Sequence, residues 1–123
     1  MNFVVYGVKL TPEEAWFFLT KYKKDLPPKT VDDVYYPLHV QLSEITDVPF
    51  GLTLHVNPDV SSYVYLGFSE RVKKSTYELG DLTEEANAFE KVVSTFFKEI
   101  FLQLGLNPKI YITLWPAKLI EMS

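Results

Sequence analysis

The apolar residues between positions 81 and 105 recur with the period of an α-helix. At about 100° per residue they form one narrow stripe. Asp81 and Glu84 have the spacing of a capping box at the start, and Gly105 followed by Pro108 is a typical helix end. The pattern predicts one long helix packed on a sheet through Leu82, Ala86, Phe89, Val93, Phe96, Ile100 and Leu104.

A strand and a second helix are predicted at the beginning of the chain. Residues 3–10 are rich in β-branched and aromatic residues and are apolar on both faces, as in a central strand. Thr11 and Glu14 form a capping box with Pro12 at the first helical position. The helix is expected to continue until the prolines at 27 and 28, and its apolar face consists of Ala15, Phe18, Leu19, Tyr22 and Leu26.

The remaining strands are predicted from alternation with a period of two. Residues 34–42 alternate and contain Pro37, which indicates an edge strand. Residues 50–56 and 63–68 alternate on either side of turn residues and predict a hairpin. Residues 110–115 form the last predicted strand, and the tail that follows is unassigned.

The predicted order of elements is β-α-β-β-β-α-β in a single α+β domain spanning residues 1–123. We expect a two-layer sandwich, with two helices on one face of a four- or five-stranded, mostly antiparallel sheet. Without the 34–42 strand the order is the ferredoxin-like one, so the fold is predicted to be ferredoxin-like with an extra strand.

Composition narrows the classes of function. The net charge of −4 argues against non-specific binding to nucleic acids or to anionic membranes. The absence of cysteine excludes disulfides and thiol catalysis, and it is compatible with a cytoplasmic or nuclear protein that is not secreted. The apolar run at the N-terminus is too short to span a bilayer, so no membrane association is expected.

The second face of the sheet is the predicted functional surface. If the aliphatic face meets the helices, the opposite face carries the aromatic residues and is open to a partner. A second copy of the chain, related by a twofold axis, is the commonest such partner. An alternative is that cross-strand aromatic pairs only stabilise the sheet. Phe17 and Leu102 lie off the apolar helix faces and are further contact candidates. The interface candidates are therefore His55, Tyr63, Tyr65, Tyr111, Trp115, Phe17 and Leu102.

Other functions are weighed against this one. A pocket around His55, Tyr63 and Tyr111 would suit a small-ligand-binding protein or an enzyme. Residues 63–68 alternate as in an RNA-recognition motif but lack its basic-Gly-aromatic-Gly signature. The sequence has no catalytic motif, no metal-ligand spacing and no cofactor-binding loop. The prediction is a non-enzymatic protein-interaction module, a homodimer without metal or cofactor.

Overall fold

The computed structural model describes residues 3–19, 32–45, 53–56, 63–114 and 118–122. The strands are β1 (Phe3–Leu10), β2 (Thr53–Val56), β3 (Val64–Arg71), β4 (Lys109–Leu114) and β5 (Lys118–Met122). The helices are α1 (Pro12–Trp16), α2 (Asp32–Ile45), α3 (Thr83–Val92) and α4 (Lys98–Leu104). A 3₁₀ turn (Leu79–Leu82) precedes α3, and a π-turn (Val93–Phe97) joins α3 to α4. The α+β class is confirmed.

The described strands form one sheet in the order β2-β3-β1-β4-β5, and every neighbouring pair is antiparallel. The central strand β1 pairs with β3 on one side and with β4 on the other. The predicted hairpin is confirmed, since β2 pairs with β3 in an antiparallel register that places Leu54 opposite Leu66. The fifth strand, β5, comes from the tail that had no assignment, and it pairs with β4.

The helices pack against one face of this sheet. Val64, Leu66 and Phe68 alternate along β3 as predicted, and their side chains are almost completely buried. The same core contains residues from α1, α2, α3 and α4. The alternation therefore identified correctly which side chains of β3 face the helices.

Helix α1 begins as predicted and ends much earlier. The amide of Glu14 donates to the Thr11 hydroxyl at 3.1 Å, and the Thr11 amide donates to the Glu14 carboxylate at 2.9 Å. From Phe17 to Leu19 the amides bond three residues back, so the α-helix has tightened into a turn after Trp16. Phe18 and Leu19 are buried by this turn. The predicted continuation through Tyr22 and Leu26 lies outside the described residues.

The prediction of a strand over residues 34–42 is wrong, because these residues belong to helix α2. Leu38 and Leu42 are four residues apart, a spacing that suits one face of a helix as well as one face of a strand. Val34, Leu38 and Leu42 are all buried. Their burial, at about 1.5–3 kcal/mol each, outweighs the cost of about 3 kcal/mol for a proline inside a helix such as Pro37.

A hydrogen bond from α2 also holds the end of α1. The Gln41 side-chain amide donates to the carbonyl of Phe18 at 2.6 Å, and both residues are buried. This bond joins residues 23 positions apart. Such a contact is specified by the packing of the two segments and has no local signature in the sequence.

The predicted long helix is interrupted by the π-turn. A π-turn holds about one more residue than an α-turn, so it rotates the following helix by roughly 100° relative to an uninterrupted α-helix. The buried face therefore passes from Phe89 to Phe97 and Phe101, whereas Phe96 is 49% exposed. The stripe prediction is wrong at Phe96.

The two ends of this helical region differ in how well they were predicted. At the C-terminus, Gly105 has φ 64°, and the amides of Gly105 and Leu106 donate to the carbonyls of Leu102 and Phe101 at 3.3 and 3.0 Å. This is a Schellman ending, as expected. At the N-terminus, Asp81 lies within the 3₁₀ turn and accepts from the Glu78 amide at 2.9 Å, so it is not the N-cap of α3.

No helix in the described ranges is both long enough and apolar enough to cross a membrane.

Candidate functional site

The face of the sheet opposite the helices carries a small buried cluster. The rings of Tyr65 on β3 and Tyr111 on β4 meet with their centroids 5.2 Å apart and their planes at 70°. Val5 on β1 lies between the two strands and belongs to the same cluster. Tyr65 is 4% exposed, Tyr111 is 5% exposed and Val5 is fully buried. Burial is the main cause that raises the pKa of Tyr65, and the electrostatic effect of Tyr63 raises it further.

A pair of glycines brings β1 and β3 close together beside this cluster. Gly7 and Gly67 are register partners. A Cβ atom on Gly67 would lie 2.8 Å from the Gly7 Cα and would also clash with the Tyr6 carbonyl. Gly67 lies two residues from Tyr65 along β3, and Tyr65 pairs with Lys9, which is two residues from Gly7.

The open aromatic face assumed for the predicted interface does not exist at Tyr65 and Tyr111, because both rings are buried within the chain. Helices on one side of a sheet do not leave its other side free when aromatic rings there pack on each other and on the strand between them. Tyr63 is half-buried, and the ammonium group of Lys9 lies 4.6 Å from the centroid of its ring. A partner would reach Tyr63 and Lys9 but not the two buried tyrosines.

The buried tyrosines also bear on the two alternatives. The proposed ligand pocket needed an accessible Tyr111, and base stacking on the sheet needed an accessible Tyr65. The side chain of His55 and the whole of Trp115 lie outside the described residues. Neither alternative is therefore supported by the part of the face that the structure describes.

A second apolar surface lies on the helical layer, and we call it the helical apolar surface. It consists of Phe17, Phe96 and Leu102, which are 46%, 49% and 74% exposed. Each is the sequence neighbour of a buried phenylalanine, and these three phenylalanines are in contact. The ring of Phe18 lies 4.9 Å from that of Phe97 and 5.8 Å from that of Phe101. The three exposed residues are thus linked through their sequence neighbours to one buried aromatic cluster.

A cleft of about 420 Å³ opens between α3, β1 and the 3₁₀ turn. Four of its residues recur along α3 at the spacing of one helical face. The Thr83 hydroxyl donates to the Gly80 carbonyl at 3.1 Å, which fixes the turn at the rim against the start of α3. The lining residues are Tyr6, Leu79, Gly80, Thr83, Ala86, Asn87 and Glu90.

The electrostatics of the cleft are set by Tyr6 and Glu90. Burial raises the pKa of Tyr6, and the negative charge of Glu90 raises it further. The Tyr6 hydroxyl therefore stays protonated at neutral pH. The cleft was not predicted, because Asn87 and Glu90 have the pattern of an ordinary solvated helix face, and the placement of Tyr6 beneath them comes from the packing of α3 on β1.

A pair of carboxyl groups is packed between α3 and β3. Glu85 is 3% exposed. Burial is the main cause that raises its pKa, and a hydrogen bond with the side chain of Glu70 raises it further. Two carboxyl groups can form this bond only when one of them carries a proton. The protonation of this pair therefore makes the stability of the fold depend on pH.

No group of three or more His, Asp or Glu side chains in the described part of the chain is arranged to hold a metal ion. His39 is exposed on α2, and its ring stacks on that of Tyr35 with ring centroids 6.2 Å apart. This contact accounts for His39 as a helix-surface residue.

Neither a scan against models of known protein families nor searches of curated proteins and of solved structures found a match to this chain.

Proposed function

We propose that this chain is a non-enzymatic protein-interaction module that forms a homodimer through the helical apolar surface. The observation that carries the proposal is the exposure of three large apolar side chains, Phe17, Phe96 and Leu102, each next in sequence to a member of one buried aromatic cluster. Single exposed apolar residues are common in monomers, whereas a grouped set usually marks a contact surface.

A second copy of the chain is the proposed partner. Twofold homodimers are the commonest soluble assemblies, and their interfaces are self-complementary. An apolar surface meets this condition readily, because it can pack against its own copy without pairing charges. Phe17 and Leu102 were among the residues predicted from sequence for such an interface, so the proposal keeps their role and replaces the buried tyrosines with Phe96.

Light scattering coupled to size exclusion tests the proposal over a wide range of protein concentration. The wild type is expected to approach twice the mass of one chain as its concentration rises. The double variant Phe96→Ser, Leu102→Ser is expected to remain at the mass of one chain, because the desolvated apolar contact is lost. Tyr36→Ser is the matched control, since Tyr36 is 71% exposed on α2 and lies outside the surface.

Two results would refute this interface. One is a wild type that stays monomeric at every concentration. The other is a dimer whose mass is unchanged by the double variant while both proteins keep the same circular dichroism. If the Tyr36→Ser control also fell to the mass of one chain, the effect would not be specific to the helical apolar surface. That result would also count against the surface.

We further propose a ferredoxin-like arrangement for the fold, with β5 as an addition at the edge beside β4. The strand order β2-β3-β1-β4 with antiparallel neighbours supports it, as does the placement of helices between β1 and β2 and between β3 and β4. The absence of cysteine supports a role in the cytoplasm or nucleus.

A further inference from the structure

The described residues that line the cleft between α3 and β1 carry a negative charge and no positive one. Glu90 is the one charged side chain among the described residues that line the cleft. The positions three and four residues away on its helix hold Ala86, Asn87, Val93 and Ser94, so no lysine or arginine neutralises it along the helix. The cleft therefore presents a carboxylate with unused acceptor capacity.

The groups around Glu90 suit a cation more than any other ligand. Tyr6 and Asn87 also line the cleft, and their side chains can accept hydrogen bonds through a phenol oxygen and an amide oxygen. The Tyr6 ring adds an aromatic wall, which attracts cations through its π-electrons. Leu79, 58% exposed at the rim, and Ala86 offer apolar surface for a hydrocarbon stem.

Other classes of ligand fit less well. An anion would be repelled by Glu90. A purely apolar molecule would cover the carboxylate without providing a hydrogen bond, which is costly. The volume of about 420 Å³ lies within the range of small-molecule sites, so it accommodates an alkyl chain with a charged head.

We propose that this cleft binds an organic cation, an alkylammonium or alkylguanidinium group, with Glu90 as its counter-ion and the ring of Tyr6 as its aromatic wall. The same chemistry is provided by a free amine or by the side chain of a lysine or arginine in a peptide. The proposal does not depend on the helical apolar surface, because none of that surface's residues lines the cleft.

Nuclear magnetic resonance titration of the whole chain tests the site. The probes are n-butylamine and n-butylguanidine, with n-butanol as the neutral control. We expect saturable shifts of the Gly80 amide and of the Asn87 side-chain amide with both cations and no saturable shift with n-butanol. Equal shifts with n-butanol, or no saturation with either cation, would overturn the proposal.

A matched pair of variants separates the site from general electrostatics. Glu90→Gln is expected to weaken binding by about tenfold or more, since it removes a charge-assisted hydrogen bond. Glu84→Gln, which removes the same charge from an exposed position of α3 outside the cleft, is expected to leave the affinity within about twofold. If the two variants bind equally well, Glu90 is not the counter-ion and the proposal fails.

A second arm identifies the source of the cation. Capped tripeptides with a central lysine or arginine are compared with the free amines. Tighter binding of the peptides would support a protein side chain as the ligand, and equal binding would support a free small cation. If the peptides and the amines all bind the Glu90→Gln variant as tightly as they bind the wild type, both sources of the cation are rejected.

Discussion

Glu85 shows how the surroundings of a single residue make stability depend on pH. Because its pKa is raised in the folded protein, the folded state binds the proton more tightly than the unfolded chain does. By linkage, the free energy of unfolding decreases as pH rises from the ordinary glutamate pKa of 4.5 through the raised value. A tenfold difference in proton affinity corresponds to about 1.4 kcal/mol.

We expect Glu85→Gln to remove this contribution, because glutamine stays neutral and can still donate to Glu70. The difference in unfolding free energy between variant and wild type should increase with pH and then level off above the raised pKa. Urea denaturation at a series of pH values measures it, with Glu99→Gln at an exposed position of α4 as control. A difference that is constant across pH would show that Glu85 does not titrate in this range.

The glycine pair between β1 and β3 gives a second prediction for single residues. Gly67→Ala places a Cβ 2.8 Å from the Gly7 Cα, so the two strands must separate. The expected loss is about 3 kcal/mol of unfolding free energy. Gly80→Ala is the matched control with no atom within 4 Å of its Cβ, and its expected effect is within about 0.5 kcal/mol. Chemical denaturation of both variants measures the contrast, and equal losses would contradict it.

The π-turn decides at the level of elements which residues the last helix buries. Phe89 and Phe97 are eight residues apart, and in a continuous α-helix they would differ by about 80° in direction. The π-turn compensates for this difference, so that both rings reach the core. Its origin is the packing of Phe97 and Phe101 on Phe18, which stabilises the extra residue.

Deleting Thr95, an exposed residue inside the π-turn, should convert it into an α-turn. Phe97 and Phe101 would keep their direction relative to Phe89, so the melting temperature is expected to remain near that of the wild type. Deleting Asn87 is the control, because it rotates the buried Glu85 away from the direction of Phe89 within α3. That deletion should cost at least as much as truncation of one buried phenylalanine, about 3 kcal/mol.

Thermal unfolding followed by circular dichroism compares the two deletions. Equal destabilisation by both would mean that the π-turn is required for more than the direction of the helix. Secondary-structure prediction could not have found the turn, since every residue in Val93–Phe97 is compatible with an α-helix and the contacting residue, Phe18, is distant in the sequence.

At the scale of the whole molecule, the predicted elements assembled into an α+β domain, although one was misidentified. The segment at 34–42 was taken for the extra strand because Leu38 and Leu42 satisfy both periodicities. The strand at the other edge, β5, pairs with β4 in the described structure. The misassigned segment and the unassigned tail have the same cause. An edge position is decided by the availability of a partner strand, which a short apolar pattern does not contain.

The candidate site was predictable only in part. The exposure of Phe17 and Leu102 followed from their positions off the apolar faces of helices, and the structure agrees. The availability of Tyr65 and Tyr111 did not follow from alternation, which indicates the face of a strand but not what covers that face. The cleft joins Tyr6 to Glu90 across two elements, and no local spacing relates them.

The sequence by itself determined the features that depend on neighbouring residues. These are the Thr11 capping box, the Schellman ending at Gly105, the β2-β3 hairpin and the inward face of β3, all of which are set by local hydrogen bonds or by the alternation of a strand. The tertiary structure alone decided the rotation of the helical face at the π-turn, the burial of the Tyr65 and Tyr111 rings, and the meeting of Tyr6 with Glu90. Each of these is a contact between segments distant in the chain, and its free energy depends on packing that exists only after the chain has folded.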